Sequence, residues 1–256
     1  MNFKIQAIPA FKDNYLWLII HPDHPEALIV DPGDAKPVLE TLNSLGLTLS
    51  GILITHKHND HIGGIKELLE NFNAPVFGSP TENIPLVTNP VSEEEEISLP
   101  RWPLIRVIEV PGHTLGHVAY LIGSHLCCGD TLFGAGCGRL FEGTPAQMYE
   151  SLEKIKVLPD DTLIYCAHEY TLKNLSFAEA LEPENIKIKS RIQETESLVS
   201  QGQPSVPFTL KIEKETNPFL RCDQKAIQGA LEVKFGKKCG SEDEVFKYLR
   251  EWRNQW

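Results

Sequence analysis

Residues 55–61 read Thr-His-Lys-His-Asn-Asp-His, which sets His56, His58, Asp60 and His61 side by side. Imidazoles and a carboxylate crowded together make a poor core, because each needs a hydrogen-bond or metal partner once buried. A metal site is the simplest chemistry for them. His56 and His58 alternate with Lys57 and so point to one side of an extended chain, while Asp60 and His61 fall on the turn beyond and can face a second position. One short loop can therefore serve two adjacent cations.

The flanking residues say which elements hold this loop. Gly51-Ile52-Leu53-Ile54 is a continuous apolar run of the kind found in a strand buried on both faces. After Gly63-Gly64, the positions Ile65, Leu68, Leu69 and Phe72 recur at helical spacing. The histidines thus sit between a buried strand and a helix, on the edge of a layered α/β protein where ligands bind.

A metal needs more ligands than one loop provides, and three later residues sit at comparable strand exits. Leu104–Val110 alternates like a strand and leads through Pro111-Gly112 to His113, with His117 following as an outer partner. Val118–Ile122 and His125–Cys128, joined at Gly123-Ser124, read as a hairpin that ends at Asp130, a carboxylate able to bridge two cations. Thr162–Ala167 leads into His168. His21 and His24, each beside a proline in a polar turn, are expected at the surface, and His125 is expected to be structural. Cys128, Cys137 and Cys166 are read as small buried hydrophobes.

The 256 residues contain no apolar stretch of about 18, so no membrane-spanning helix is expected. The start, Met1-Asn2-Phe3-Lys4-Ile5, turns polar too quickly for a secretion signal. Six cysteines without a Cys-x-x-Cys pair fit a reducing cytoplasm better than a disulfide scaffold. A net charge of −11 argues against a nucleic-acid binder. Residues 1–204 hold 14 Lys or Arg against 27 Asp or Glu, whereas residues 205–256 hold 10 against 8, so an acidic body carries a slightly basic tail.

With His56, His58, Asp60, His61, His113, Asp130 and His168 in place, the chain resembles the metallo-β-lactamase superfamily, marked by HxHxDH and a distant His, Asp and His. Within it the chain is similar to the glyoxalase II family, the hydroxyacylglutathione hydrolases. Further segments look like that family: Ile8–Tyr15, Asp31-Pro32-Gly33, Gly129–Phe133, Cys137–Thr144, His168–Thr171, Asn217–Arg221 and Arg250–Arg253. The resemblance spans essentially the whole chain. It implies an α/β fold, the αββα sandwich, as a catalytic domain over residues 1–168, and a small α-helical, glutathione-binding domain over 169–256. The sequence agrees independently, since strand patterns stop after His168 and helical stretches follow around 172–181, 184–200 and 224–235. By resemblance His56, His58 and His113 hold one metal, Asp60, His61 and His168 a second, and Asp130 bridges them. Substrate-binding positions fall on Arg139, Phe141, Tyr170, Arg250 and Arg253, and Phe141 stands where some members have tyrosine. The arginines give the basic tail a purpose, because guanidinium groups hold carboxylates bidentately.

The activity implied is hydrolysis of an S-(2-hydroxyacyl)glutathione such as S-D-lactoylglutathione to glutathione and a 2-hydroxy acid, a step of methylglyoxal detoxification. Two divalent ions per chain would share a water and lower its pKa towards about 7. The hydroxide so formed is expected to attack directly, with Asp60, His58 and Asp130 the residues on which catalysis turns. Zinc is the first expectation, and iron and manganese suit the same donors. A cytoplasmic monomer acting on a small molecule is expected, with no nucleic-acid or membrane partner. The rival within the fold is a metal-dependent lactonase, and the rival of another class is a binding module that has lost catalysis.

Overall fold

The computed structural model describes residues 3–256, so Met1 and Asn2 of the polar start lie outside the described residues. The chain divides into two compact units, Met1–Glu109 with Thr114–Gly129, and Val110–His113 with Asp130–Trp256.

The first unit opens with β1 (Lys4–Ala10), β2 (Asn14–Ile20) and β3 (Glu26–Val30), an antiparallel meander. It continues through α1 (Ala35–Leu45), β4 (Thr48–Leu53), α2 (Asn59–Ile62), α3 (Ile65–Asn71), β5 (Val76–Gly78) and β6 (Asn89–Pro90). From β3 to β6 the strands run parallel. β7 (Glu96–Ile97), β8 (Ile105–Glu109), β9 (Val118–Ile122) and β10 (His125–Gly129) follow as antiparallel neighbours, the last two being the expected hairpin. Val38 and Leu42 of α1 and Ile65 and Leu68 of α3 cluster with Ile52 and Ile54 against one face of the first sheet. On the other side the Tyr120 hydroxyl of β9 donates to the Ile54 carbonyl at 2.8 Å. Both faces of β4 are covered, which is why its sequence reads as an unbroken apolar run.

The second unit contains β11 (Leu132–Phe133) and β12 (Gly136–Cys137), α4 (Pro145–Lys156), β13 (Leu163–Cys166), α5 (Thr171–Leu181) and α6 (Ile186–Ser200). β14 (Phe208–Thr209), α7 (Leu210–Thr216), α8 (Lys225–Phe235) and α9 (Glu242–Gln255) complete it. α4 begins with a reciprocal cap between Thr144 and Gln147 and carries Pro145 in its first turn, which satisfies its leading amides. α5, α6 and α8 occupy the three expected helical stretches. One expectation fails in detail, since strand structure does not end at His168: β14 pairs antiparallel with β13. Two residues are too few to leave a period in the sequence.

A charged knot sits inside this unit. Glu213 of α7 lies fully buried 2.5 Å from Nη2 of Arg191 on α6, whose Nη1 donates to the Thr216 hydroxyl. The Glu213 carboxylate accepts from the Ala135 amide at 3.0 Å and from Asn217 Nδ2 at 2.7 Å, and Asn217 Nδ2 also donates to the Gly136 carbonyl at 2.9 Å. Burial pushes the Glu213 carboxyl up, and Arg191, Asn217 and the Ala135 amide pull it back. The knot thereby fixes the turn between β11 and β12, where Ala135 is held at φ 53.

Among the described residues no helix is long and apolar enough to cross a membrane. Among the described residues the cysteines form no disulfide, and Cys127, Cys128, Cys137, Cys166 and Cys222 are buried. His21 corrects its expectation. It is buried, with Nε2 3.0 Å from the Arg101 carbonyl and its ring edge-on to Trp102, whereas His24 is exposed.

Candidate metal and anion site

In the first unit, the segment after β4 carries His56 and His58, the latter in extended backbone, and α2 carries Asp60 and His61. His56 Nε2 lies 3.0 Å from His58 Nδ1, so the alternation across Lys57 does bring both rings to one side. Asp31, directly after β3 and held at φ 49, organises the cluster. It accepts from the Thr55 amide and hydroxyl, both at 2.7 Å, and from His61 Nδ1 at 3.0 Å. A hydroxyl has one proton; Thr55 gives it to Asp31 and therefore accepts from His56 Nδ1, 3.1 Å away. Both rings are then protonated on Nδ1, which leaves Nε2 of His56 and of His61 as lone-pair donors. His61 Nε2 faces Asp60 Oδ2 at 3.4 Å, and Asn14 Nδ2 donates to that same oxygen at 2.9 Å. His117 stacks on His56 with centroids 4.7 Å apart, as expected of an outer partner.

In the second unit, His113, Asp130 and His168 converge although they come from three separate parts of the chain. His113 Nε2 is 3.4 Å from Asp130 Oδ2, and His168 Nε2 is 3.4 Å from Asp130 Oδ1. His113 Nδ1 donates to the Arg139 carbonyl at 2.8 Å, which again turns a bare Nε2 towards the carboxylate. Gly138 permits this arrangement, since a Cβ there would stand 2.0 Å from the Asp130 carbonyl oxygen.

The same electrostatic problem arises in both units: a nitrogen lone pair faces a carboxylate oxygen. A charge-assisted hydrogen bond would close to about 2.8 Å. Two ligands about 2.1 Å from one tetrahedral ion stand about 3.4 Å apart, so the donors suit divalent cations. Imidazole and carboxylate together are a hard-to-borderline set that excludes no first-row divalent ion.

The anion-binding candidates lie in the second unit as well. Tyr170 stacks on His168, centroids 4.8 Å apart and rings 2° from parallel, and Phe141 meets the His113 ring edge-on at 5.1 Å while remaining 64% exposed. Arg250, on α9 and only 5% exposed, donates to the Cys137 carbonyl at 2.9 Å and lies over the Phe219 ring. Arg253 Nη2 donates to Asn174 Oδ1 at 3.0 Å. Burial first, then the positive charges of Arg250 and Arg139, pulls the Arg253 guanidinium below its ordinary value. The arginine ion pairs among the described residues belong to Arg101, Arg191 and Arg221, so Arg139, Arg250 and Arg253 gather with no carboxylate to neutralise them.

Comparison with known proteins bears on the same residues. Residues 14–168 match the metallo-β-lactamase superfamily and residues 169–256 match the hydroxyacylglutathione hydrolase C-terminus. The chain is 49% identical to the hydroxyacylglutathione hydrolase of Photobacterium profundum, with 98% of each chain covered. It is also 49% identical to that of Aeromonas hydrophila, covering 98% of this chain and 99% of the relative. The chain belongs to the hydroxyacylglutathione hydrolase family. Its metallo-β-lactamase fold also aligns with the crystal structure of ETHE1 from Myxococcus xanthus at a TM-score of 0.68 and 25% identity, over 98% of this chain and 91% of that one.

For this member of the hydroxyacylglutathione hydrolases, sequence reasoning overlooked the roles of Asp31, Asn14 and Asn174. Asp31 obeys the rule that found the others, a carboxylate at a strand exit, and Asn14 opens β2 inside a segment already noted as family-like. Asn174, a polar residue on the buried side of α5, carried no comparable signal.

Proposed function

We propose that this chain hydrolyses S-(2-hydroxyacyl)glutathione thioesters, S-D-lactoylglutathione foremost, to glutathione and a 2-hydroxy acid. The observation that carries the reading is the continuity between donors and cations in one compact unit. The backbone of Arg139 holds His113, Tyr170 stacks on His168, and three unneutralised guanidiniums lie on the same fold. A lactone has no carboxylates to occupy them, whereas glutathione has two.

In this reading His56, His58 and His113 hold one divalent ion, Asp60, His61 and His168 a second, and Asp130 serves both. Zinc is the favoured identity. When bound, the ions supply a hydroxide at neutral pH and a Lewis acid for the thioester carbonyl. Asp31 and Thr55 keep Nε2 of His61 and His56 available, and the Arg139 carbonyl does the same for His113. Asp60, oriented by Asn14, accepts a hydrogen bond from the attacking water and aims its lone pair at the acyl carbon. Arg139, Arg250 and Arg253 hold the peptide carboxylates and Tyr170 and Phe141 flank the thioester, so that the carbonyl is presented in one orientation. The thiolate, with a pKa near about 8.5, leaves with little protonation.

Residues 1–168 then carry the chemistry and residues 169–256 most of the glutathione recognition. The protein works as a cytoplasmic monomer on a small molecule, with no nucleic-acid partner, and contributes to methylglyoxal removal. The deciding experiment is thiol release from S-D-lactoylglutathione by zinc-loaded protein, beside a simple lactone and a thioester lacking the γ-glutamyl and glycyl ends. Fast turnover of the glutathione thioester alone is expected, and preference for the lactone would overturn the substrate.

A further inference from the structure

Glu82 belongs to none of the donor sets above, yet it is a carboxylate only 2% exposed. It ends a short 3₁₀ turn, Pro80–Glu82, that Ser79 caps. Its Oε2 accepts the Lys57 amide at 2.8 Å and its Oε1 accepts the Gly116 amide at 2.8 Å. Lys57 is the residue between His56 and His58, and Gly116 immediately precedes His117, whose ring backs His56. A side chain at position 116 would put its Cβ 2.7 Å from Oε1, so glycine is what admits the contact.

A buried carboxylate is costly unless hydrogen-bonded, and here each oxygen meets a backbone amide of a different histidine-bearing segment. The side chain therefore fixes two things together: the turn that aims His56 and His58 at a common point, and the ring stacked behind His56. We propose that Glu82 is a positioning residue that sets the affinity of the divalent cation held by His56 and His58. The inference rests on the metal reading of those two histidines.

The test is a titration of metal-free wild type, Glu82→Gln and Glu82→Asp with Co(II), followed by visible absorption, and with Zn(II) against a chromophoric chelator. Far-UV circular dichroism and thermal unfolding of the metal-free proteins report folding. The amide of Gln keeps the size of the side chain but sets a donor against a donor at one of the two contacts. Wild type is expected to take two ions. In Glu82→Gln one ion should bind about 10- to 100-fold more weakly and the other as in wild type, with altered Co(II) bands for the weakened site. Glu82→Asp keeps the charge but reaches only one amide, and should weaken the same ion by less. Wild-type affinities for both ions in Glu82→Gln, or an equal loss at both, would overturn the proposal. If Glu82→Gln does not fold, Glu82→Asp decides, and a wild-type isotherm there overturns it. Failure of wild type itself to bind ions would overturn the metal reading and the role of Glu82 with it.

Discussion

The two compact units supply donors in opposite ways. In the first, His56, His58, Asp60 and His61 follow one another along one loop, and Asp31 and Thr55 beneath them set the ring tautomers. In the second, His113, Asp130 and His168 come from three strand exits and meet only because backbone carbonyls, glycines and a buried ion pair hold the intervening turns. A contiguous set depends on its immediate neighbours in the chain. A scattered set depends on a scaffold, and damage far from the donors should reach it.

The largest expected effect comes from removing the carboxylate proposed to serve both ions. Asp130→Ala should reduce thiol release to background and lower metal content together, read by a turnover assay beside metal analysis, and retained turnover would break the picture of the second unit. Next comes the scaffold. Glu213→Ala strands the buried Arg191 cation, costing about 3–5 kcal/mol of stability, and should also depress activity because the turn between β11 and β12 loses its anchor. Chemical denaturation and kinetics on the same samples check both, and a stability loss without any kinetic change would erase the distinction between scattered and contiguous sets. Arg250→Ala should raise KM by about 10- to 100-fold, the worth of a charged hydrogen bond, with kcat nearly unchanged if the residue binds ground and transition states alike. An unaltered KM removes Arg250 from the clamp. The smallest effect is expected from Phe141→Tyr, which offers a hydroxyl at an exposed ring and should lower KM by a few-fold; a KM unchanged or raised would show that the ring has no polar contact to gain.

The same contrast explains what the sequence disclosed. HxHxDH was legible because its donors are adjacent, and the strand-exit rule extended the reading to His113, Asp130 and His168. Of the helices from Thr171 onward, α5, α6 and α8 were legible from their period, whereas α7 and α9 were not among the expected stretches. His21 misled because a histidine beside a proline in a polar turn looks exposed, while the groups that bury it, Arg101 and Trp102, lie some 80 residues away. Asn14 is 46 positions from Asp60, and Glu82 is 25 from Lys57 and 34 from Gly116. Single polar residues whose partners are that remote leave no pattern to read. β14 escaped for a different reason, having only two residues.

The uncompensated guanidiniums of the second unit have a consequence after the bond is broken. In the proposed reading, cleavage removes the acyl group but leaves both carboxylates of glutathione intact, so the departing peptide would still meet the same Arg139, Arg250 and Arg253 that held the thioester. The product therefore competes with the substrate for one clamp, and raising ionic strength, which screens the half-buried Arg253 more than the buried Arg250, should loosen the hold on both.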